Sequence, residues 1–446
     1  MMDTTIEALE RRLDDFDPDT RRATLVTLAE KARTGVVELP AAGEAFNLHC
    51  HSSFSFNGYG HSPSGLVWRG KTRGLAAMGL VDFDVLDGVA EFLEACALLG
   101  MRGGAGFETR VYVPEFSDRV INSPGEPGIS YHMGMGFVPG PVRDAHLIAE
   151  LKDLAQGRNR KMVARINTLL SDIALDYDAD VLPLTPAGNA TERHVCAAYY
   201  RKAEAAFPGR AARAAWWADR LGMAVAEVEK SLDDAPVFQG VIRAKTMKAG
   251  GVGYVEAKGE EFPEAPRVNR FTEANGALPT LAFLDGTTPG EQAMDELLDV
   301  MLGEGVVAVN IIPDRNWNIK DPETRRDKVA RFHEFTAKAQ ARNLPVFVGT
   351  EMNAHGQRFV DDFDAPEMRP LYPVFQEGAL LLHAHTLLQA HAGMGYLSGW
   401  AKHHFPDTGK RNRFYADLGR TAAPGRPAPA GVTPESGPDE VARAYS

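Results

Sequence analysis

Short apolar runs that alternate with helical stretches constrain this chain more than any other feature of its 446 residues. Between Phe46 and Met352, seven such runs occur, most of them bounded by glycine. The runs are 46–51, 79–85, 104–113, 131–138, 278–285, 305–312 and 345–352. The helical patterns between them lie at 64–78, 88–99, 291–303 and 322–342. This alternation predicts an α/β fold built on a parallel sheet or barrel.

The alternation stops between the fourth and fifth runs. Residues 142–250 are rich in Ala, Arg and Glu at helical spacing and predict an all-helical insertion. The last stretch, 421–446, is rich in Pro, Gly and Ala and predicts a disordered tail. The remaining expected units are an N-terminal helical segment at 1–44, barrel parts at 45–141 and 251–376, and C-terminal helices at 377–420.

Composition excludes several classes of function. The formal charge of −12 argues against non-specific binding to duplex nucleic acid, yet a local positive pocket can still hold a small anion. No apolar run is long enough to predict a membrane span. Cys50, Cys96 and Cys196 are too few and too far apart to predict disulfides or a thiolate zinc site. We therefore expect a cytoplasmic protein.

Two histidines at alternate positions of the first predicted strand indicate a metal site. A period of two places His49 and His51 on one face of the strand, where both imidazoles can bind one ion. Polar side chains recur in or after later strands. They are Asp82, Glu108, His132, Arg315 and Glu351. Active sites of barrels lie where strands end, so we expect these side chains at one mouth of the barrel.

Several of these stretches resemble the polymerase and histidinol phosphatase (PHP) superfamily of metal-dependent phosphoesterases. The resemblance covers about 46–356 and rests on LHCHSSFS, GAGFET, YHMGMGF and VGTEMNAHG, among other stretches. The helical interruption is similar to the branch that acts on nucleoside monophosphates and short oligonucleotides. The resemblance implies a distorted (β/α)7 TIM-like barrel with divalent metals at its mouth.

Matched position by position, the resemblance also implies a set of metal ligands. They are His49, His51, Glu108 and Glu351, with His132 as a further ligand. Phe83 and Phe283 replace imidazoles of the family pattern, and Asn353 replaces a third. We therefore expect one divalent ion per chain, Mn, Fe or Zn, in a pocket that the two phenylalanines wall.

The expected reaction assigns roles to further residues. The ion activates a water, His132 or Asp82 moves the proton, and Arg315 orients the anionic group of the substrate. Asp82 also fits a turn role before the next helix, and Arg315 also fits an ion pair with Asp314. Candidate substrate contacts are His61, Arg193, His194 and His355. For Arg193 and His194, a solvated helix face is the alternative.

The functional hypothesis is a metal-dependent hydrolase, a phosphoesterase that acts on a small anionic substrate. One alternative is a lyase or isomerase with a single metal that acts on a sugar-like or carbonyl compound. A second alternative is a non-catalytic binding or regulatory protein. The lost imidazoles favour the alternatives, and the retained ligand set favours hydrolysis. The sequence does not predict the substrate, the metal or the oligomeric state.

Overall fold

The computed structural model describes residues 5–255, 259–426 and 428–446. Its strands are β1 (Phe46–Cys50), β2 (Ala77–Phe83), β3 (Arg102–Tyr112), β4 (Ile129–Met135), β5 (Leu278–Phe283), β6 (Ala308–Ile311) and β7 (Val346–Val348). They lie side by side in chain order. A bridge between Cys50 and Glu351 brings the end of the last strand back to the first. The sheet is a nearly closed barrel of seven strands, which confirms the predicted fold class.

One strand of the barrel runs against the others. β4 pairs antiparallel with both β3 and β5, whereas every other neighbouring pair is parallel. The expectation of a parallel sheet is therefore wrong at this strand. The register pairs Glu108 with Met133 and Thr109 with His132. Directly paired residues share a face of the sheet, so Glu108 and His132 lie on opposite faces.

The helices before and around the first strands are α1 (Ile6–Arg12), α2 (Pro18–Arg33), α3 (Pro63–Thr72) and α4 (Val89–Leu99). The first three begin at polar side chains that accept backbone N–H bonds. Asp17 and Ser62 cap α2 and α3, each followed by a proline at the first helical position. Arg21 of α2 is buried and forms two hydrogen bonds to Glu91 of α4, which fixes the N-terminal segment to the barrel.

The chain between β4 and β5 folds mostly as helices. They are α5 (Ala145–Leu169), α6 (Glu192–Ala206), α7 (Arg210–Leu221), α8 (Val225–Ser231), α9 (Ala235–Thr246) and α10 (Ala265–Ala274). From α5 to α9 they enclose a hydrophobic core of their own, with Trp217 and Tyr199 fully buried in it. Asn189 donates hydrogen bonds to the carbonyls of Phe54 and Phe83, so this helical unit touches the loop after β1 and the end of β2.

The second half of the barrel carries the remaining helices. They are α11 (Pro289–Gln292), α12 (Met294–Gly303), α13 (Asp314–Trp317), α14 (Pro322–Ala341), α15 (Tyr372–Ala392), α16 (Gly399–His404), α17 (Thr408–Thr421) and α18 (Pro438–Tyr445). Among the described residues, no helix is long and apolar enough to cross a membrane.

The C-terminal stretch is ordered against the barrel, which corrects the predicted disordered tail. Val432 and Val441 are buried in the main core. Trp400 donates its indole N–H to the carbonyl of Ser436 at 2.8 Å. A few spaced apolar side chains are enough to anchor a stretch that is otherwise too rich in Pro, Gly and Ala to predict packing.

Candidate metal centre

Three buried side-chain atoms form a small triangle inside the barrel. The Nε2 atoms of His49 and His51 are 3.3 Å apart. The Oε2 atom of Glu108 lies 3.3 Å from the first and 3.1 Å from the second. Donors bound to one zinc-sized ion at about 2.1 Å, in tetrahedral geometry, are about 3.4 Å apart. The three edges therefore fit a single divalent ion. Among the described residues, this is the one cluster of three His, Cys, Asp or Glu side chains that could hold a metal ion.

Local structure aims both imidazoles at that triangle. His49 and His51 share a face of β1, while Cys50 between them is buried on the other face. His49 Nδ1 lies 2.9 Å from Asn310 Oδ1 on β6. That bond places the proton on Nδ1, because the amide oxygen is an acceptor, and it leaves the Nε2 lone pair for a metal. Asn310 lies outside every predicted motif, and only the barrel closure reveals it.

Charge in the cluster also suits a cation. Burial alone lowers the pKa of His49, but the neighbouring Glu108 carboxylate raises it, with a net increase. Burial alone raises the pKa of Glu108, but His49 and His51 lower it to about 2. Glu108 is therefore ionised at neutral pH. A buried carboxylate between two imidazoles is costly unless a positive charge accompanies it.

Glu351 lies beside the triangle without joining it. Arg315 Nη2 donates to Glu351 Oε2 at 3.0 Å, and Gln357 Nε2 donates to the same oxygen at 3.0 Å. The Glu351 carbonyl accepts from the N–H of His51 at 2.9 Å. Glu351 has a φ of 65° and Met352 a φ of 58°, a left-handed conformation that non-glycine residues rarely adopt. Such local strain is typical of functional sites.

His132 lies away from the cluster, which corrects its predicted roles. Its register with Thr109 places it on the outer face of the barrel wall. There its Nε2 atom lies 2.6 Å from Asn269 Oδ1 on α10. Burial lowers the pKa of His132 to about 4. The structure contradicts both the ligand role and the proton-transfer role, because the imidazole bonds to an outer helix.

Asp82 supports the loop after β1 instead of facing the triangle. Its carboxylate accepts the Ser52 N–H at 2.7 Å and the hydroxyls of Ser52 and Ser55 at 2.6 Å each. Ser55 Oγ in turn lies 3.4 Å from His51 Nδ1. Burial raises the pKa of Asp82 above its usual value. The structure shows neither the predicted turn role before the next helix nor that of a general base, because three donors from the loop after β1 occupy the carboxylate.

The two phenylalanines that replace imidazoles have different positions. Phe83 stacks on His51 with ring centroids 4.1 Å apart, so it walls the site as predicted. Phe283 stacks instead on Phe335 of α14, with centroids 3.8 Å apart. The expectation that Phe283 walls the pocket is therefore wrong, since its ring faces the outer helix layer.

Two predicted substrate contacts belong to the start of α6. Arg193 is half-buried, and burial lowers its pKa, while the charge of Glu351 has a smaller, opposite effect. His194 is 7 % exposed and accepts the N–H of Thr191 through Nδ1 at 3.1 Å. The position of His194 is that of a helix cap rather than a substrate contact.

The other two predicted contacts lie around Tyr59. His61 Nδ1 lies 3.3 Å from Asp14 Oδ2, and its ring stacks on Tyr59. His355 is exposed, with its ring 5.5 Å from that of Tyr59. The hydroxyl of Tyr59 donates to the carbonyl of Gln357, which also contacts Glu351. Neither histidine joins the triangle.

Further charged groups near Glu108 were not predicted as site residues. Arg110 and Arg158 each place their guanidinium carbon 4.7 Å from the centre of the Phe262 ring. Both charges, together with that of Glu108, act on the pKa of Asp84, which burial raises. Arg110 lies two residues after Glu108 on β3, so the strand period could have indicated it. Arg158 comes from the helical insertion, and only the tertiary fold places it here.

Comparison by sequence finds one partial relative. The chain is 38 % identical over 78 residues to an error-prone DNA polymerase of Cutibacterium acnes. The match covers 18 % of this chain and 7 % of that polymerase, so the chain spans a small part of its relative. No family model matches. The match agrees with the resemblance to the PHP superfamily, which takes part of its name from polymerases.

The solved structures that match this chain include the following two proteins. One is an amidohydrolase from Chromobacterium violaceum, solved with sulfate and no metal, at a TM-score of 0.48 and 18 % identity. It is matched over 75 % of this chain and 96 % of its own. The other is a protein from Bifidobacterium adolescentis assigned as a metal-dependent phosphoesterase, at a TM-score of 0.45 and 19 % identity. That match covers 76 % of this chain and 98 % of the other.

Proposed function

We propose that this chain is a metal-dependent hydrolase that holds one divalent ion at His49, His51 and Glu108. The observation that carries the proposal is the buried triangle of two imidazole nitrogens and one carboxylate oxygen, with edges of 3.1–3.3 Å. When bound, the ion supplies a water of lowered pKa and a positive charge beside the reacting bond. Asn310 and Phe83 keep the two imidazoles in the orientation that this binding needs.

The proposed substrate is a small anionic compound, a phosphoester. Arginines from separate elements lie close enough to Asp84 or Glu351 to interact with these carboxylates, in a chain that is acidic overall. They are Arg110, Arg158, Arg193 and Arg315. A guanidinium forks onto phosphate oxygens with two parallel hydrogen bonds, so arginines are suited to this ligand. The Arg315 side chain is 44 % exposed, which leaves it accessible to a substrate that enters the mouth.

Arg315 and Glu351 give the site two arrangements. In the structure, Arg315 pairs with Glu351. A substrate phosphate competes for the same guanidinium and releases the Glu351 carboxylate toward the triangle. The Glu351 carboxylate would then be available to hold the ion with the other three residues or to accept a proton from water, the role that His132 and Asp82 cannot fill. In this proposal Arg315 binds and orients the phosphate.

A lyase or isomerase with a single metal remains the second candidate. The observation that favours it is the absence of a second group of three metal-binding side chains from the described residues. A pair of ions stabilises both the attacking and the leaving oxygen of a phosphoryl displacement, and a single ion does less. A single metal ion is enough to polarise the carbonyl of a sugar-like compound.

The test is a turnover assay on the full chain loaded with Mn²⁺. Small phosphomonoesters are supplied, and both substrate loss and inorganic phosphate are measured. We expect phosphate release that Glu108→Gln reduces by at least 100-fold and that Glu273→Gln, a control in an exposed ion pair with Lys402, leaves unchanged. When a second panel of small sugars and carbonyl compounds is tested, substrate loss without a hydrolytic product would support the lyase or isomerase. Bound metal without any turnover would contradict both.

A further inference from the structure

A separate cavity of about 520 Å³ lies outside the barrel wall. It is enclosed by α4, α15, the start of β3 and the C-terminal stretch with α18. Gly103, in its lining, lies five residues before Glu108 on β3, which is about 16 Å along a strand. A Cβ atom built on Gly103 would meet Cys96 of α4, so this cavity is on the outer face of the strand. It is therefore distinct from the metal cluster.

Most of the cavity lining is apolar, but one buried imidazole is not hydrogen-bonded at Nε2. His383 of α15 lines the cavity and is 4 % exposed. Its Nε2 atom has no hydrogen-bond partner among the described residues. Burial lowers the pKa of His383 to about 3, so the ring is neutral and has one donor and one acceptor nitrogen. A buried polar group without a partner is costly, and native proteins usually satisfy it.

The other buried or half-buried polar side chains that α15 contributes to the lining already have partners. Thr386 donates its hydroxyl to the carbonyl of Leu382 in its own helix. His391 Nδ1 lies 2.7 Å from the hydroxyl of Tyr445, where α18 closes one side of the cavity. His383 is therefore the buried polar group that is left for a ligand. The cavity has the size of a typical small-molecule site, which is mainly apolar with a few polar groups that fix orientation.

We propose that this cavity binds a small, mainly apolar molecule that carries a hydroxyl group, with the hydroxyl bonded to His383. A hydroxyl is both a donor and an acceptor, so it pairs with either tautomer of the neutral imidazole. Leu93, Leu387 and Ala390 surround the apolar part of such a ligand. This inference does not depend on the proposed function, because no residue of the metal cluster takes part.

Equilibrium dialysis of the full chain against 2-naphthol and 2-methylnaphthalene tests the proposal. The two probes have the same shape and differ in the hydroxyl group. We expect one molecule of 2-naphthol per chain, bound about 2- to 10-fold more tightly than 2-methylnaphthalene, the range that one hydrogen bond provides. His383→Phe keeps an aromatic ring and is expected to remove this preference. His383→Leu serves the same purpose if the first variant does not fold.

Two further variants locate the binding. Ala390→Phe places a large ring at the exposed rim and is expected to block both probes, whereas Ala390→Ser is expected to leave binding unchanged. Glu108→Gln is also expected to leave binding unchanged, because the metal cluster is separate. The proposal is overturned if 2-naphthol does not saturate, if Ala390→Phe has no effect, or if the hydroxyl preference survives in both His383 variants. Dimerisation in sedimentation that Ala390→Phe abolishes, without probe binding, would also overturn it, in favour of a protein interface.

Discussion

At the scale of single residues, orientation matters as much as identity. His49 and His51 are useful to a metal only because each turns its Nε2 atom toward Glu108. The Asn310 side chain, with no charge and no metal-binding role of its own, sets the tautomer of His49. Residues of this kind commonly change metal affinity by 10- to 100-fold when they are replaced.

Asn310→Ala should therefore weaken metal binding without unfolding the barrel. We expect the dissociation constant for Mn²⁺, measured by titration calorimetry, to rise about 10- to 100-fold. Asn310→Asp keeps an acceptor for the Nδ1 proton and should restore most of the affinity. If Asn310→Ala binds Mn²⁺ as tightly as the wild type, Asn310 does not position His49.

Arg315 is the residue whose loss should separate substrate binding from metal binding. Arg315→Ala removes the guanidinium that pairs with Glu351 and, in the proposed reaction, with the phosphate. We expect the KM for a phosphoester substrate to rise at least tenfold, while Mn²⁺ affinity stays equal or increases because Glu351 is released. Arg315→Lys should be intermediate, since it keeps the charge but loses the fork. The exposed Arg326→Ala is the control. Weaker Mn²⁺ binding in Arg315→Ala would contradict this account.

At the scale of secondary-structure elements, the sequence predicts what a single strand determines and misses what pairing determines. The period of two in β1 correctly places His49 and His51 on one face. The period of a single strand does not predict which face His132 takes, because that face depends on the direction and register of β4 against β3. The prediction that Phe283 walls the pocket fails for a related reason. Adjacent residues of β5 face opposite sides of the sheet, and only the pairing of Ala282 with Asn310 shows which side faces the barrel interior.

The loop after β7 carries a carboxyl group that should make stability depend on pH. Asp361 is 3 % exposed; its Oδ1 atom accepts the indole N–H of Trp317 at 3.1 Å, and its Oδ2 atom has no partner among the described residues. Burial raises the pKa of Asp361 to about 7. The folded state therefore holds this proton more tightly than the unfolded chain, whose aspartate pKa is about 3.9.

The free energy of unfolding should consequently fall as the pH rises from about 4 to 7. The contribution of Asp361 is at most about 1.4 kcal/mol per pH unit and levels off above its folded pKa. Asp361→Asn keeps an acceptor for Trp317 and should remove this part of the pH dependence. Urea unfolding of both proteins between pH 4.5 and 8 measures the difference. A difference that stays constant with pH would show that Asp361 is ionised throughout.

At the scale of the whole molecule, the side-chain amide of Asn189 connects the helical insertion to the mouth of the barrel. Asn189 donates to the carbonyl of Phe54, in the loop after β1, at 3.1 Å and to that of Phe83, the last residue of β2, at 2.7 Å. Ser55 of that loop and Phe83 both contact His51, so the insertion supports the mouth of the barrel.

Asn189→Ala should loosen the mouth of the barrel. Three hydrogen bonds are lost, two to the carbonyls of Phe54 and Phe83 and one from Gln156. We therefore expect a destabilisation of about 1.5–4.5 kcal/mol and faster amide hydrogen exchange in residues 52–57. Asn159→Ala, which removes a bond to Ala190 inside the insertion, should leave exchange in 52–57 unchanged. Equal exchange in the wild type and Asn189→Ala would show that other contacts hold this loop.

The overall architecture was the most predictable feature of the molecule, because the alternation of strands and helices repeats along much of the chain. The order of the C-terminal stretch was not predictable in the same way. Its anchors, such as Val432 and Val441, are single residues whose burial depends on a surface formed by distant elements. The position of Arg158 also depends on the packing of distant elements, because this residue belongs to the helical insertion.

The most direct test of the central claim is the metal content of the chain, measured by elemental analysis after purification without chelators or an affinity tag. The account predicts about one equivalent of Mn, Fe or Zn per chain in the wild type and in Glu273→Gln, and almost none in Glu108→Gln. It is contradicted if the wild type binds no metal even after reconstitution, or if Glu108→Gln retains the full equivalent.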